Sequence, residues 1–153
     1  MIQNQFLEKL KQLGIQIDIK EFNVSTKTAE EAAKAIGCEI NQIAKSIVFD
    51  ALGEPVLVIL SGGNRVNEEN ISSYLLKPIK KADADFVYEK TGFSIGGVPP
   101  FGHKEKIKHI FLDEDLLNYQ EIWCAAGAPF SVFKISPQRL IEITQAKLVD
   151  IKV

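Results

Sequence analysis

The chain of 153 residues is 46% hydrophobic and 25% charged, a composition typical of one folded domain with a sizeable core. Its formal net charge of −2 argues against a protein that holds nucleic acid through bulk electrostatics. The two cysteines lie far apart and form no metal-binding spacing with the two histidines, so the sequence predicts no metal site, and we expect no cofactor. There is no signal-peptide block and no apolar run of membrane length, so we expect a cytoplasmic protein with no membrane partner.

Helical and extended patterns alternate through the first half of the chain. Thr28 and Glu31 have the spacing of a capping box, which predicts where the second helix begins. The two strands after it carry apolar residues at successive positions, which indicates that both of their faces are covered. The predicted elements are a helix over 3–13, a strand over 15–20, a helix over 29–36, and strands over 44–51 and 54–61.

The second half continues this mixture without a strict strand–helix–strand rhythm. Several strands are close enough in sequence to form hairpins. The sequence therefore predicts one mixed α/β domain over residues 1–153, built on a curved, largely antiparallel sheet. The predicted elements are helices over 68–76 and 84–90, strands over 108–112, 121–125 and 130–135, a helix over 137–144, and a strand over 147–151.

The segment 92–103, called here the Gly/Pro loop, is the most constrained part of the sequence. It contains four glycines and two adjacent prolines, and it ends at His103. Glycine lets backbone amides approach a ligand, whereas proline fixes the backbone and removes a donor. The segment matches neither the dinucleotide fingerprint nor the phosphate-binding loop. From this pattern alone, a ligand-binding loop and a tight structural turn remain equally open.

Lys45 is a charged residue at the start of an apolar strand. Its ammonium group either reaches solvent, the commoner case, or points into a pocket to hold an anion or a carbonyl oxygen. His103 is open to three interpretations: a general base, a hydrogen-bond donor or an ordinary loop residue. No catalytic Ser-His-Asp order is present, and Cys124 after Trp123 is typical of a small core residue.

Positive charge is concentrated around the Gly/Pro loop. Residues 77–108 carry seven lysines and four acidic residues, a net charge of +3. This charge indicates either a solvated face or a docking surface for a polyanion that would extend one end into a pocket. The lysines selected as candidates for docking are Lys77, Lys80, Lys81, Lys104 and Lys106.

Several stretches resemble the YbaK family, the free-standing relatives of the editing domain inserted in bacterial prolyl-tRNA synthetases. The resemblance spans nearly the whole chain, and the lysine together with the Gly/Pro loop makes it specific. It implies a mixed α/β fold with a barrel-like sheet and a trans-editing aminoacyl-tRNA deacylase. The matching stretches are residues 28–33 with Gly37, 42–46, 96–103, Asp113, 125–127 and 136–140.

The resemblance also implies a set of site residues. The catalytic candidates are Lys45, Gly96, Gly97 and His103, with the loop amides orienting the ester carbonyl. In this family a water molecule and a ribose hydroxyl appear in place of a protein nucleophile, which fits the absence of a triad. The candidates for substrate binding are Thr28, Ala32, Ser46, Val98, Pro99, Pro100, Phe101, Gly102, Asp113, Ala126 and Gly127.

The implied partners are the acceptor end of a mischarged tRNA and, where one takes part, an aminoacyl-tRNA synthetase. Residues 125–129 lack the serine and the basic residue of the subgroup that clears cysteine from proline tRNA. This difference argues against cysteine, and the Gly/Pro loop resembles more closely the subgroups that act on alanine, 2-aminobutyrate, serine or threonine. The expected substrate carries one of these small amino acids, with cysteine kept as a further candidate, and tRNA-Pro is the expected tRNA. Two alternatives remain open: a non-catalytic module that binds a tRNA end or a nucleotide, and a hydrolase of small free esters.

Overall fold

The computed structural model describes residues 4–153. Its elements follow the predicted order, with short 3-10 turns at Ile40–Gln42 and Glu114–Asn118. The helices are α1 (Asn4–Leu13), α2 (Ala29–Ile36), α3 (Glu68–Leu75), α4 (Ala84–Thr91) and α5 (Pro137–Thr144). The strands are β1 (Ile19–Glu21), β2 (Ile43–Ala51), β3 (Glu54–Ser61), β4 (Lys80–Lys81), β5 (His109–Asp113), β6 (Ile122–Ala125), β7 (Ser131–Ile135) and β8 (Lys147–Val149).

The capping box predicted for α2 is confirmed. The Glu31 amide donates to Thr28 Oγ1 at 3.1 Å, and the Thr28 amide donates to Glu31 Oε1 at 3.2 Å. Gly37 ends the helix in the left-handed conformation, with φ of 83°. These local bonds satisfy amides that a first helical turn leaves without partners. They also fix the start of α2 beside the cavity described below.

One strand prediction was inaccurate, and one strand was missed. The alternating pattern over 15–20 predicted a strand, but only Ile19–Glu21 pairs, against β7. Ile15 instead closes the end of α1, where its amide donates to the Leu10 carbonyl at 3.0 Å. β4 was not predicted, because a strand of two lysines has no alternation to reveal it; it pairs with β2 at Phe49 and Asp50.

The eight strands form one mixed sheet in the order β1-β7-β6-β2-β3-β5-β8, with β4 added beside β2. The longest pair, β2 with β3, is antiparallel over eight residue pairs, as the hairpin prediction requires. Three pairs are parallel: β2 with β6, β3 with β5, and β5 with β8. The mixed α/β class and the antiparallel character are confirmed, although among the described strands the sheet does not close into a barrel.

Strand β3 lies between two apolar clusters. Leu57 and Ile59 belong to the larger cluster, whereas Val56, Val58 and Leu60 belong to a second one on the other face. All five side chains are at most 1% exposed, which confirms that both faces of this strand are covered. No helix within residues 4–153 is long and apolar enough to cross a membrane.

Candidate functional site

A cavity of about 410 Å³ lies beside β2, between the start of α2 and the Gly/Pro loop. We call it the Lys45 cavity. Strand β6 lies parallel to β2 and forms a further wall of the cavity. The cavity therefore joins residues that are far apart in sequence. Of the predicted catalytic and substrate-binding residues, the structure places these on its lining: Thr28, Ala32, Lys45, Ser46, Gly96 and Val98.

Lys45 is half-buried on β2, and its Nζ donates to the Asn64 carbonyl oxygen at 3.2 Å. Burial lowers the pKa of its ammonium group, and the negative charges of Glu30 and Asp113 partly oppose this effect. The side chain therefore does not simply extend into solvent. It is a cation on the wall of a cavity, a position suited to holding an anionic or carbonyl oxygen.

Asp113 was predicted to bind substrate, but it does not line the Lys45 cavity. It is 1% exposed, and its Oδ2 accepts from the Ser61 amide at 3.0 Å and from Asn64 Nδ2 at 2.7 Å. Its Oδ1 accepts from the Asp115 amide at 2.9 Å. The same Asn64 supplies the carbonyl that contacts Lys45. Asp113 therefore fixes the turn after β3 that holds the lysine.

The Gly/Pro loop lines the cavity at Ile95, Gly96 and Val98. Gly96 has φ of 93°, and a Cβ there would lie 2.3 Å from Lys27 Cγ. The Gly97 amide donates to the Ser94 carbonyl at 3.0 Å and is therefore already used in a turn. Within the described chain, the Gly96 and Val98 amides have no hydrogen-bond acceptor. The loop itself therefore uses the Gly97 amide but not those of Gly96 and Val98.

His103 lies outside the Lys45 cavity. Its ring is 7% exposed, and Nε2 donates to the Pro99 carbonyl at 2.6 Å. Burial lowers the pKa of His103 to about 4, so the ring is neutral at pH 7. This bond closes the second half of the Gly/Pro loop. Among the three interpretations of His103, this geometry favours a loop residue whose ring shapes the loop.

Comparison with known proteins identifies the family. Residues 24–143 match the model of the family described as an aminoacyl-tRNA editing domain. The chain belongs to this family. A solved structure described as a candidate trans-editing enzyme for prolyl-tRNA synthetase is 37% identical, with a TM-score of 0.92 over 100% of this chain and 99% of that one.

Two curated relatives extend the comparison. The uncharacterized protein YwhH of Bacillus subtilis is 32% identical over 86% of this chain and 83% of its own length. The proline--tRNA ligase of Limosilactobacillus fermentum is 34% identical over 69% of this chain. The matched region is 20% of that ligase, so this editing domain corresponds to one part of a larger synthetase.

Several predicted substrate-binding residues of the editing domain lie outside the Lys45 cavity. Phe101 packs between Phe6 and Phe133, with ring centroids 5.9 and 5.6 Å away. The Ala126 amide donates to the Ser131 carbonyl at 3.1 Å, and this turn backs the Gly/Pro loop. The predicted residues that do not line the Lys45 cavity are Pro99, Pro100, Phe101, Gly102, Asp113, Ala126 and Gly127.

The structure places the candidate docking lysines in different local settings. Lys81 lines the Lys45 cavity, whereas Lys104 and Lys106 line a second cavity. Lys77 is paired with Glu54 at 3.1 Å. Lys80 lies beside Lys81 on β4 and lines neither of these two cavities.

Other residues of the Lys45 cavity were not predicted as part of the site. They include Lys27 and Glu30 at the start of α2 and Trp123 and Cys124 on β6. Burial raises the pKa of the Cys124 thiol, which argues against a thiolate nucleophile there. The proximity of Lys27 and Glu30 to the predicted Thr28 was the one available signal. Within residues 4–153, no group of three or more His, Cys, Asp or Glu could hold a metal ion.

Proposed function

We propose that this editing domain is a trans-editing deacylase that hydrolyses the ester between a small amino acid and the terminal adenosine of a mischarged tRNA. One observation carries the proposal: Lys45, Gly96 and Val98 line the same cavity of about 410 Å³. Such a volume is within the range of about 300–1,000 Å³ found for small-ligand sites. The candidate amino acids are alanine, 2-aminobutyrate, serine, threonine and cysteine.

The chemistry needs no protein nucleophile. A water oxygen attacks the ester carbonyl carbon and gives up a proton, the bond from that carbon to the ribose oxygen breaks, and the ribose oxygen takes up the proton to leave free amino acid and tRNA. The Gly96 and Val98 amides would donate to the oxyanion that forms, since they have no acceptor within the described chain. Rigid donors of this kind stabilise developing charge without reorganising. A neighbouring ribose hydroxyl would orient the water.

Lys45 would hold the terminal phosphate or the sugar end of the substrate. Its stem is half-buried and its Nζ is restrained by Asn64, so the ammonium group has a defined position. A positioned cation loses less freedom when it binds an anion. Ala32 and Ala44 form part of the wall, and their small side chains leave room for an amino-acid side chain.

The relatives support tRNA-Pro as the first tRNA to test. One solved neighbour is described as a candidate trans-editing enzyme for prolyl-tRNA synthetase, and the matched ligases charge proline. A synthetase partner would supply the mischarged tRNA or keep it bound until the ester is hydrolysed. Because tRNA is charged and edited where translation takes place, we propose a cytoplasmic protein.

The test compares Lys45→Met with Lys34→Met, a matched change on the exposed face of α2 that does not line the cavity. We expect Lys45→Met to lower kcat/KM for mischarged tRNA by about 100-fold or more, because removing one partner of a desolvated, hydrogen-bonded charge pair costs about 2–5 kcal/mol. Lys34→Met should retain the wild-type rate, and both variants should unfold at the wild-type urea midpoint. Full activity of Lys45→Met would contradict the proposal.

The same assay separates the alternatives. Wild-type protein that binds mischarged tRNA and leaves its ester intact would indicate a non-catalytic module. Equal kcat/KM for aminoacyl-adenosine and for intact aminoacyl-tRNA would indicate a hydrolase of small esters. A panel of tRNAs charged with the candidate amino acids would identify the substrate.

A further inference from the structure

A second cavity, of about 470 Å³, lies at the other end of the Gly/Pro loop from the Lys45 cavity. Phe101, Gly102 and His103 supply one wall, and α1 and α5 supply the others. The two cavities therefore share one loop. Val98, on the first, is three residues from Phe101, on the second, so their Cα atoms are at most about 11 Å apart.

The rim of the second cavity is positively charged. It carries four cationic side chains, Lys9, Lys104, Lys106 and Arg139, and none of its lining residues is acidic. Within the described chain, Lys9, Lys104 and Lys106 have no carboxylate at ion-pair distance. Arg139 has one exposed partner, Glu142, at 3.6 Å. Unpaired cations around a concave surface favour an anionic ligand.

The floor of this cavity is apolar. Phe101, which packs against Phe6 and Phe133, forms part of it. The aliphatic residues that line it are Leu13, Ile15, Ile107, Ile110 and Ile143. A small inorganic anion would leave such a floor uncovered. A ligand with a flat apolar body and a phosphate would use both the floor and the rim, as a nucleotide of a single strand does.

We propose that the second cavity binds one nucleotide of the single-stranded acceptor end of tRNA, with its base on the apolar floor and its phosphate at Lys104 and Lys106. This inference rests on the proposed function. The terminal adenosine would occupy the Lys45 cavity and an upstream nucleotide the second one. The Gly/Pro loop would then contact both nucleotides, and the protein would recognise the tRNA end as well as the ester that reacts.

The first experiment measures the preference for tRNA. It compares wild-type protein, Lys104→Gln/Lys106→Gln, and the control Lys34→Gln/Lys147→Gln, which removes the same charge from exposed positions outside both cavities. The measured quantity is kcat/KM for aminoacyl-tRNA divided by kcat/KM for aminoacyl-adenosine, which has no phosphate. We expect this ratio to fall about tenfold in the cavity variant and less than about twofold in the control.

The second experiment measures binding without catalysis. The probe is a fluorescent RNA tetranucleotide, ACCA, titrated at several salt concentrations. We expect the cavity variant to bind about tenfold more weakly, with a logarithmic salt slope smaller by about 0.7 for each lost phosphate contact. Urea unfolding of both variants checks that the fold is retained.

The outcomes separate this inference from the proposed function. Wild-type tetranucleotide affinity and an unchanged substrate ratio in the cavity variant would overturn the inference while leaving deacylation intact. Binding of AMP or inorganic phosphate at the second cavity, without binding of the tetranucleotide, would overturn it as well. Loss of tetranucleotide binding in the cavity variant would support it even if the wild-type protein deacylated no tRNA tested.

Discussion

The bonds of Asp113 lead to a quantitative prediction for Asp113→Asn. The carboxylate accepts two bonds at Oδ2, from the Ser61 amide and Asn64 Nδ2, and one at Oδ1, from the Asp115 amide. An asparagine of the same shape can present its oxygen to one side only. If the oxygen faces Ser61 and Asn64, its NH2 group points at the Asp115 amide, and two donors oppose each other.

The expected cost follows from these bonds. One bond to a charged group is lost, worth about 1.5–3 kcal/mol, and two others change from charge-assisted to neutral. Removing a buried charge relieves part of its desolvation penalty. We therefore expect Asp113→Asn to lower the free energy of unfolding by about 2–3 kcal/mol. Asn64 also holds Lys45, so kcat/KM for mischarged tRNA should fall by about tenfold as the lysine loses its fixed position.

Urea unfolding and deacylation kinetics at pH 7 measure the two effects. The control is Asp115→Asn, because Asp115 also accepts from Asn64, at 2.8 Å, but is a partly exposed carboxylate paired with Lys152. It should lose less stability and less activity than Asp113→Asn. Wild-type stability and rate in Asp113→Asn would refute the argument that this carboxylate positions the lysine.

Two further predictions concern the Gly/Pro loop. Gly97→Ala would place its Cβ 3.1 Å from the backbone of Ala128, so we expect the free energy of unfolding to fall by about 1 kcal/mol and the deacylation rate to fall as well. The control Gly53→Ala changes an open turn and should retain activity. A Gly97→Ala enzyme with wild-type activity would contradict the close packing. Burial lowers the pKa of His103 in the folded protein to about 4, from the ordinary 6.5. As the pH falls, the imidazole of the unfolded chain therefore takes up a proton before that of the folded protein does. Stability is lost as the pH falls from about 6.5 to 4. Urea unfolding should show wild-type protein losing about 3 kcal/mol more than His103→Gln between pH 7 and pH 4, and parallel pH curves would argue against this assignment.

Local signals predicted much of the fold. The Thr28–Glu31 box defines the start of α2, because both of its bonds lie within four residues. The apolar run of β3 predicted a strand covered on both faces, and its side chains do alternate between two clusters. β4 was missed, since two lysines become a strand only when β2 lies beside them.

The candidate site was predictable only in part. Sequence pattern and resemblance selected Lys45 and the Gly/Pro loop, and the structure places both on one cavity. They also selected His103 as catalytic, but its ring turns back to the Pro99 carbonyl. No local signal distinguishes a histidine that faces a ligand from one that bonds its own loop.

The sequence by itself determined the helix boundaries, the β2–β3 hairpin and the charged residue in an apolar strand, since each depends on neighbours a few positions away. Only the tertiary structure decided that Trp123 and Cys124 line the Lys45 cavity and that Asp113 supports it from behind. The parallel pairing of β6 with β2 joins residues about eighty positions apart. Such pairings depend on how the whole chain buries its apolar faces, which no short stretch encodes.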